Sequence, residues 1–479
     1  MPYLSSRALK GLKQYKYKPA GYTFLDNAHQ PFWNCEYCAQ RRASPSLRRA
    51  AAAAAAAASP AAVSRPPADI TEHILPSWLA PNLITLTGLC ALVAAYCLTA
   101  AQLPEYGGHK ERWLYFTIGS AVLFYTHMDA LDGKQARKTK TSSPLGQLFD
   151  HGARAALHCL SCNFSRLAWA TPRLLACSPA LHAPISCVFP AGCDALATHL
   201  IMDTLMPTLQ LRHEWRAIAG IMYVFVPWWL AHWEEYHTGV MLYGNGLWGV
   251  TEACYTVVVV HYATTLLGGQ LWSVRPFWAL LSRHGGAASL LPAQMVGWLA
   301  RLTMTDMFII AFGVLGVTML SEQILRVFRV AGTKQLERTT LPLNEQGNKA
   351  LGRVAAASHL VQILGTCACG TALLLLPVKA PWQSRVWFGT FGVTYAMQAT
   401  RLIIAHMSKE PFSVAAWPLA LIAAQIANHF GGPLDPFALA CAVHAVVVTG
   451  YLHYVVCVVG EISGFLGINA LTIKRAHAE

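Results

Sequence analysis

From Leu75 onward the chain alternates long apolar stretches with short polar ones. Ten of the stretches approach the ~20 residues that a helix needs to cross a bilayer core. They are Asn82 to Leu103, Trp113 to Leu131, one starting near Leu145 and completed by Cys193 to Thr208, Ala217 to Trp233, Val250 to Leu267, Met304 to Leu320, Ala355 to Leu376, Trp387 to Ile404, Val414 to Ile426, and Pro436 to Val459. The ninth is short and the third is broken. The pattern predicts an all-α, polytopic integral membrane protein with about ten transmembrane helices. Ahead of it, Leu9, Leu12 and Tyr15 recur at near-helical spacing among Arg7, Lys10, Lys13, Lys16 and Lys18, which predicts a short amphipathic helix on the membrane surface. No apolar stretch follows these cations as in a secretory signal, so the segment is expected to be retained. Ala43 to Pro67, with its polyalanine tract, prolines and no acidic residue, reads as low-complexity linker.

Composition sharpens the class. Of 479 residues 54% are hydrophobic and only 12% charged, about half the charged fraction of an ordinary soluble protein. Mean hydropathy is +0.37. The formal charge of +13 is carried mainly by short stretches between apolar segments, which points to a membrane surface and away from nucleic acid. The fourteen cysteines include Cys254, Cys367, Cys369, Cys441 and Cys457 inside apolar spans, so they do not form a disulfide framework. The pairs Cys35/Cys38 and Cys159/Cys162 are too far apart to define a zinc site.

Orientation follows from the cations. Lys134, Arg137, Lys138 and Lys140 follow the second span; Arg326, Arg329, Lys334, Arg338, Lys349 and Arg353 follow the sixth; Lys474 and Arg475 lie in the tail. All three groups fall on one side of an even-numbered topology, the cytosolic side by the positive-inside rule.

The chemistry sits between His127 and Gly152. Asp129 and Asp132, three residues apart, project from one helical face at the mouth of an apolar span, and Asp150 waits at the start of the next. One aspartate alone would be read as helix-end solvation or as an ion pair with Lys134 or Arg137. Three carboxylates with Gly133 and Gly146 between them suit a hard divalent cation holding a diphosphate: oxygen ligands favour Mg²⁺ or Mn²⁺, and two ions roughly 3.5–4 Å apart would stabilise both oxygens of a phosphoryl displacement. Arg137 and the neighbouring lysines would add positive charge for the phosphates.

At this point the chain resembles the CDP-alcohol phosphatidyltransferase family, whose motif D-x-x-D-G-x-x-A-R-x8-G-x-x-x-D-x-x-x-D it matches at Asp129, Asp132, Gly133, Ala136, Arg137, Gly146 and Asp150. The flanking words APNLITLTG, DGKQARKT and SSPLGQLFDHG are similar to the choline/ethanolamine branch, and weaker similarity continues through Trp233-Glu234 and the Asn245 to Glu252 stretch. The last motif position departs: Arg154 stands where a fourth aspartate is expected, and a cation there would oppose metal binding. Omitting about forty residues, Ala153 to Gly192, gives FDHGCDAL and restores the motif with Asp194. Ala153 to Gly192 therefore reads as an insertion, with ends that permit a retained intron. Tyr37 to Ile70 and Ser273 to Ala300 are further extensions. The expected organisation is a basic interfacial segment over 1–36, an Ala/Pro/Arg insertion over 37–70, a membrane domain over 71–459 interrupted at 153–192, and a cytosolic tail over 460–479.

The resemblance implies a reaction and roles within it. CDP-ethanolamine or CDP-choline would donate its phosphoalcohol to the hydroxyl of diacylglycerol, releasing CMP and forming phosphatidylethanolamine or phosphatidylcholine. Asp129, Asp132, Asp150 and Asp194 would bind two Mg²⁺ or Mn²⁺ ions. His151 is the first choice of general base and Asp194 its competitor. Asn82, Gly133, Ala136 and Gly146 would border the nucleotide. Glu234 and Glu252, beside spans ending on the cytosolic side, are candidates for the cationic head group. Trp228, Trp229, Trp233 and Tyr236 read as an interfacial aromatic belt, with a cation-binding wall as the alternative. Residence in the endoplasmic reticulum or Golgi, with the site facing the cytosol, is inherited from the resemblance. The sequence leaves the oligomeric state open, a homodimer included. Two competing readings remain: a family member impaired by 153–192, and a transporter using intramembrane carboxylates, which would put acidic residues near helix midpoints.

Overall fold

The computed structural model describes residues 3–15, 19–20, 25, 75–146, 148, 193–242, 244–245, 248–283, 292–331, 352–380, 382–469 and 471–473. Asp150, His151, Arg154, the segments 37–70 and 153–192, both C-x-x-C pairs, and Lys474 and Arg475 lie outside them. The chain is a helical bundle. After a nine-residue helix α1 (Ser6–Gln14) come α2 (Pro81–Gln102), α3 (Arg112–Lys138), α4 (Cys193–Thr208), α5 (Trp215–Thr238) and α6 (Val250–Leu267). Two short helices follow, α7 (Pro276–Arg283) and α8 (Ala293–Leu299), within the stretch read as a loop extension. The long helices α9 (Met304–Val330), α10 (Arg353–Leu374), α11 (Gln383–Ser408), α12 (Ala416–His429) and α13 (Pro436–Leu466) complete it. α13 thus runs several residues past the end drawn for the membrane domain. The extended backbone is slight: Pro19–Ala20 pairs in parallel with Met241–Leu242.

Five of these helices, α2, α6, α9, α10 and α13, are long and apolar enough to cross a membrane, and the protein is an integral membrane protein. They show the inside-out pattern expected in lipid: Val314 and Val317 on α9, Val354 and Val361 on α10, and Val259 and Leu266 on α6 are all exposed. The expectation of ten apolar spans goes beyond these five, for two physical reasons. α4 and α12 have only 16 and 14 residues. α3 and α11 are long but polar, and α5 carries His232, Glu234, Glu235 and His237 toward its end; α11 is buried on nearly every face and carries Gln383, Arg385, Thr390, Thr394, Gln398 and Thr400 inside the bundle. A helix shielded from lipid by its neighbours can hold such groups because protein partners satisfy them. Gln398 exchanges hydrogen bonds with the Ala415 backbone at 2.7 and 2.8 Å, and Thr400 meets the Tyr451 hydroxyl at 2.8 Å.

Helix direction can be read from paired contacts. α2 and α3 are antiparallel, since Thr85 meets Asp132 near one end and Leu103 clusters with Leu114 and Ile118 near the other. α3 and α6 are antiparallel as well: Phe116 stacks on Tyr262 at 5.6 Å, and His127 lies edge-on to Tyr255 at 6.2 Å. α5 and α9 run parallel, from Tyr223 against Gly313 to Glu234 on Arg326. One end of the bundle therefore gathers the start of α2, the end of α3, the start of α4, the end of α5 and the start of α6. α1 lies across that end of the molecule. Its Ser5 cap accepts the Ala8 N–H at 2.9 Å, the Tyr3 and Leu4 N–H groups donate to Glu461 at 2.7 and 2.8 Å, and Tyr15 donates to Glu235 at 3.1 Å. Of the face the sequence assigns to the membrane surface, Leu12 is buried against protein and Leu9 and Tyr15 are half-buried, with Leu4 and Ala8 buried beside them, while Arg7, Lys10 and Lys13 stay exposed. Gly11 is so close to α11 that a Cβ would lie 2.3 Å from the Ser408 carbonyl oxygen.

A polar network ties the α2–α3 loop into the core. The Tyr106 hydroxyl donates to Asp203 Oδ1 at 2.6 Å, His199 Nε2 lies 3.1 Å from Asp203 Oδ2, and Arg385 sits 4.0 Å over the Tyr106 ring. Arg385 also donates to the Leu103 and Pro104 carbonyls at 2.6 and 3.0 Å. Losing the acceptor of a buried hydroxyl costs about 1–3 kcal/mol. Asp203→Ala is accordingly expected to lower the thermal midpoint of the detergent-solubilised protein, and Asp203→Asn to lower it less, measured by fluorescence-detected size exclusion over a temperature series.

Candidate active site

The site is built where α2, α3 and α4 meet. α2 starts at Pro81, whose missing N–H costs nothing in the first turn. The segment before it is pinned to α3: Gln135 Nε2 donates to the Pro76 and Leu79 carbonyls, both at 2.9 Å, and Lys138 Nζ to the Leu75 carbonyl at 2.7 Å. Gly88 permits the close approach of the two helices, for a Cβ there would stand 2.9 Å from Met128 Cβ and 3.3 Å from the Tyr125 ring. That approach brings Thr85 onto the second motif aspartate. Asp132 is buried, and its Oδ2 accepts the Thr85 hydroxyl.

Asp129, one turn earlier, is half-buried. The hydroxyl of Tyr125 lies 3.2 Å from Asp129 Oδ1 and 3.0 Å from Asp194 Oδ1. Asp194 opens α4 on the far side of the long interruption in the motif, yet its carboxylate and that of Asp129 can be no farther apart than those two distances together. Thr198 closes the next turn on the Asp194 carbonyl at 2.7 Å. Around this pair, Arg137 is exposed and its guanidinium lies close to Gly133, where a Cβ would stand 3.6 Å from Nη1. A side chain at Gly146 would meet the Asn82 amide oxygen at 3.7 Å, so these two predicted positions are neighbours. Ala136 is half-buried, and its carbonyl accepts the Thr141 N–H at 3.0 Å as α3 ends.

The two glutamates differ. Glu234 on α5 is buried and held by both arms of Arg326, with Nη2 to Oε2 at 3.0 Å. Glu252, in the first turn of α6, is 8% exposed; its Oε1 accepts the Leu25 N–H at 3.2 Å, while its buried Oε2 has no hydrogen-bond partner among the described residues. The aromatic group does not form a belt facing lipid. Trp229 and Trp233 are wholly buried, Trp229 edge-on to Tyr395 at 5.7 Å and Trp233 near Phe328 at 6.2 Å. Trp228 is half-buried with its ring 4.4 Å from His232.

The donor set fits a hard divalent cation in chemistry: carboxylate oxygens from two helices converge, with hydroxyls behind them. Among the described residues no three Asp, Glu, His or Cys side chains are grouped closely enough to hold an ion. Thr85 and Tyr125 are the contacts that motif reading passes over. Tyr125 has a signal in the sequence, since it precedes Asp129 by four residues and so shares its helical face. Thr85 has none without knowing which helix faces α3.

Residues 78–191 match the profile of the CDP-alcohol phosphatidyltransferase family. Similarity runs from end to end to choline/ethanolaminephosphotransferase 1 of Arabidopsis thaliana, 25% identical over 489 residues covering all of both chains. An uncharacterized CDP-alcohol phosphatidyltransferase class-I family protein 3 of Dictyostelium discoideum is 27% identical over 422 residues, 84% of this chain and 90% of its own. Human ethanolaminephosphotransferase 1 is 24% identical over 426 residues, 85% of this chain and 87% of its own.

The close α2–α3 contact yields a test. Gly88→Leu overfills it and is expected to cost about 1–3 kcal/mol, seen as a lower thermal midpoint in detergent; Gly88→Ala should lower it less. An unchanged midpoint for the leucine variant would show that α2 and α3 do not pack as described.

Proposed function

We propose that the chain transfers phosphoethanolamine, phosphocholine or both from the CDP-alcohol to the hydroxyl of diacylglycerol, forming phosphatidylethanolamine or phosphatidylcholine and releasing CMP. The convergence of Asp129 and Asp194 on one tyrosine hydroxyl carries this reading, because it returns the fourth aspartate of the motif to the first despite the residues between them. Asp129, Asp132, Asp150 and Asp194 would hold two Mg²⁺ or Mn²⁺ ions, which when bound neutralise the diphosphate and stabilise its attacking and leaving oxygens. Arg137 adds positive charge beside the phosphates. Asn82, Gly133, Ala136 and Gly146 border the nucleotide, two of them glycines that let it approach the backbone.

His151 removes the proton of the diacylglycerol hydroxyl as that oxygen bonds to the β-phosphorus. The bond from this phosphorus to the CMP oxygen breaks, and CMP leaves with the electron pair. Asp194 is the alternative base. Of the two glutamates, Glu234 is committed to Arg326, so we assign the cationic head group to Glu252, whose second oxygen has no hydrogen-bond partner among the described residues. The cations of α3 and α9 support the cytosol as the side on which the site opens, in endoplasmic reticulum or Golgi membrane. A transporter would need its carboxylates near helix midpoints, whereas Asp129 and Asp132 lie in the last turns of α3 and Asp194 in the first turn of α4.

The segment 153–192 separates two of the assigned ligands and favours one second reading, a family member whose activity it impairs. Both are tested in proteoliposomes with diacylglycerol and radiolabelled CDP-ethanolamine or CDP-choline. Labelled phospholipid is expected, falling on the order of a hundredfold or more for Asp129→Asn, Asp132→Asn or Asp194→Asn, and about 10²–10⁴-fold for His151→Ala. Joining Gly152 directly to Cys193 is expected to raise the rate. Activity only in the joined chain favours impairment; equal inactivity of both chains rejects the transferase reading.

A further inference from the structure

Tyr125 is 4% exposed and sits on α3 where α2 and α4 close over it. Its ring packs opposite Gly88, and its hydroxyl reaches both Asp129 Oδ1 and Asp194 Oδ1, at 3.2 and 3.0 Å. A phenol has a single proton to donate, so it serves the two carboxylates in alternation, as a shared partner between groups that otherwise repel. One side chain therefore holds the carboxylates of two helices at one separation, helices that residues 139–192 separate in sequence. We propose that Tyr125 is a positioning residue for the divalent-cation site, setting the separation and rotation of the Asp129 and Asp194 carboxylates. This role rests on the reading of those aspartates as metal ligands. It is distinct from the ring's part in packing α2 on α3, because Phe keeps the ring and removes only the hydroxyl.

Outer partners of metal ligands typically change metal affinity by about 10–100-fold when removed. The full chain, wild-type or carrying Tyr125→Phe or Asp129→Asn, is purified in detergent and titrated with Mn²⁺. Free ion is followed by electron paramagnetic resonance, and thermal midpoints are measured in EDTA. Tyr125→Phe is expected to weaken Mn²⁺ binding by about 10–100-fold with its metal-free midpoint near that of wild type, and to shift the Mg²⁺ dependence of turnover to higher concentration in parallel. Wild-type binding that Tyr125→Phe leaves intact overturns the role of Tyr125 alone, as does a loss of affinity matched by a collapse of the metal-free midpoint. A wild-type chain that binds no Mn²⁺, or Asp129→Asn protein that binds it equally well, overturns the metal-site reading and this role with it.

Discussion

A carboxylate packed inside a helical bundle is costly unless a hydrogen-bond donor reaches it, and the junction of α2, α3 and α4 is organised around that requirement. Asp132 has its share from Thr85 on α2; Asp129 and Asp194 have theirs from Tyr125. For these hydroxyls to reach, the α2 and α3 backbones must come closer than ordinary side chains allow, which Gly88 permits. The charge on α3 thus dictates the composition of α2: a glycine and a threonine on the face turned to α3, in a helix otherwise suited to lipid.

The same economy operates away from the site. Glu234 and Arg326 neutralise each other between α5 and α9. Asp203, His199 and Tyr106 form a closed polar set with Arg385 over the tyrosine ring. Each set joins elements distant in sequence, so polar groups that would be costly facing hydrocarbon here specify which helices are neighbours. Burial of this kind is weak evidence for stability and stronger evidence for register.

The helical, membrane-embedded class was legible because apolar runs of bilayer length have few other uses, and the aspartate motif was legible because its spacing is fixed. What escaped were properties of faces. Apolar length alone cannot tell a lipid-facing helix such as α9 from one enclosed by others such as α11, whose Arg385 and Gln398 lie inside the protein. Trp229 and Trp233 resemble interfacial anchors in sequence but fill the interior, since their spacing also suits a helix packed on α9 and α11. Glu234 resembled a free carboxylate until α9 brought Arg326 alongside. Asp194 was found by completing a motif; Thr85 was not, because nothing in a single chain says which apolar-span hydroxyl faces which carboxylate.

The docking of α1 bears on how the protein is made. Glu235 on α5 holds one end of it, but the other atoms that hold it, on Ser408, Glu410 and Glu461, lie on or beyond α11, and the Tyr3 contact spans 458 residues. α1 therefore cannot complete its seat until α13 has been made, more than four hundred residues later. Until then its apolar face must be kept from other surfaces, and its seating reports that α11 and α13 have come together.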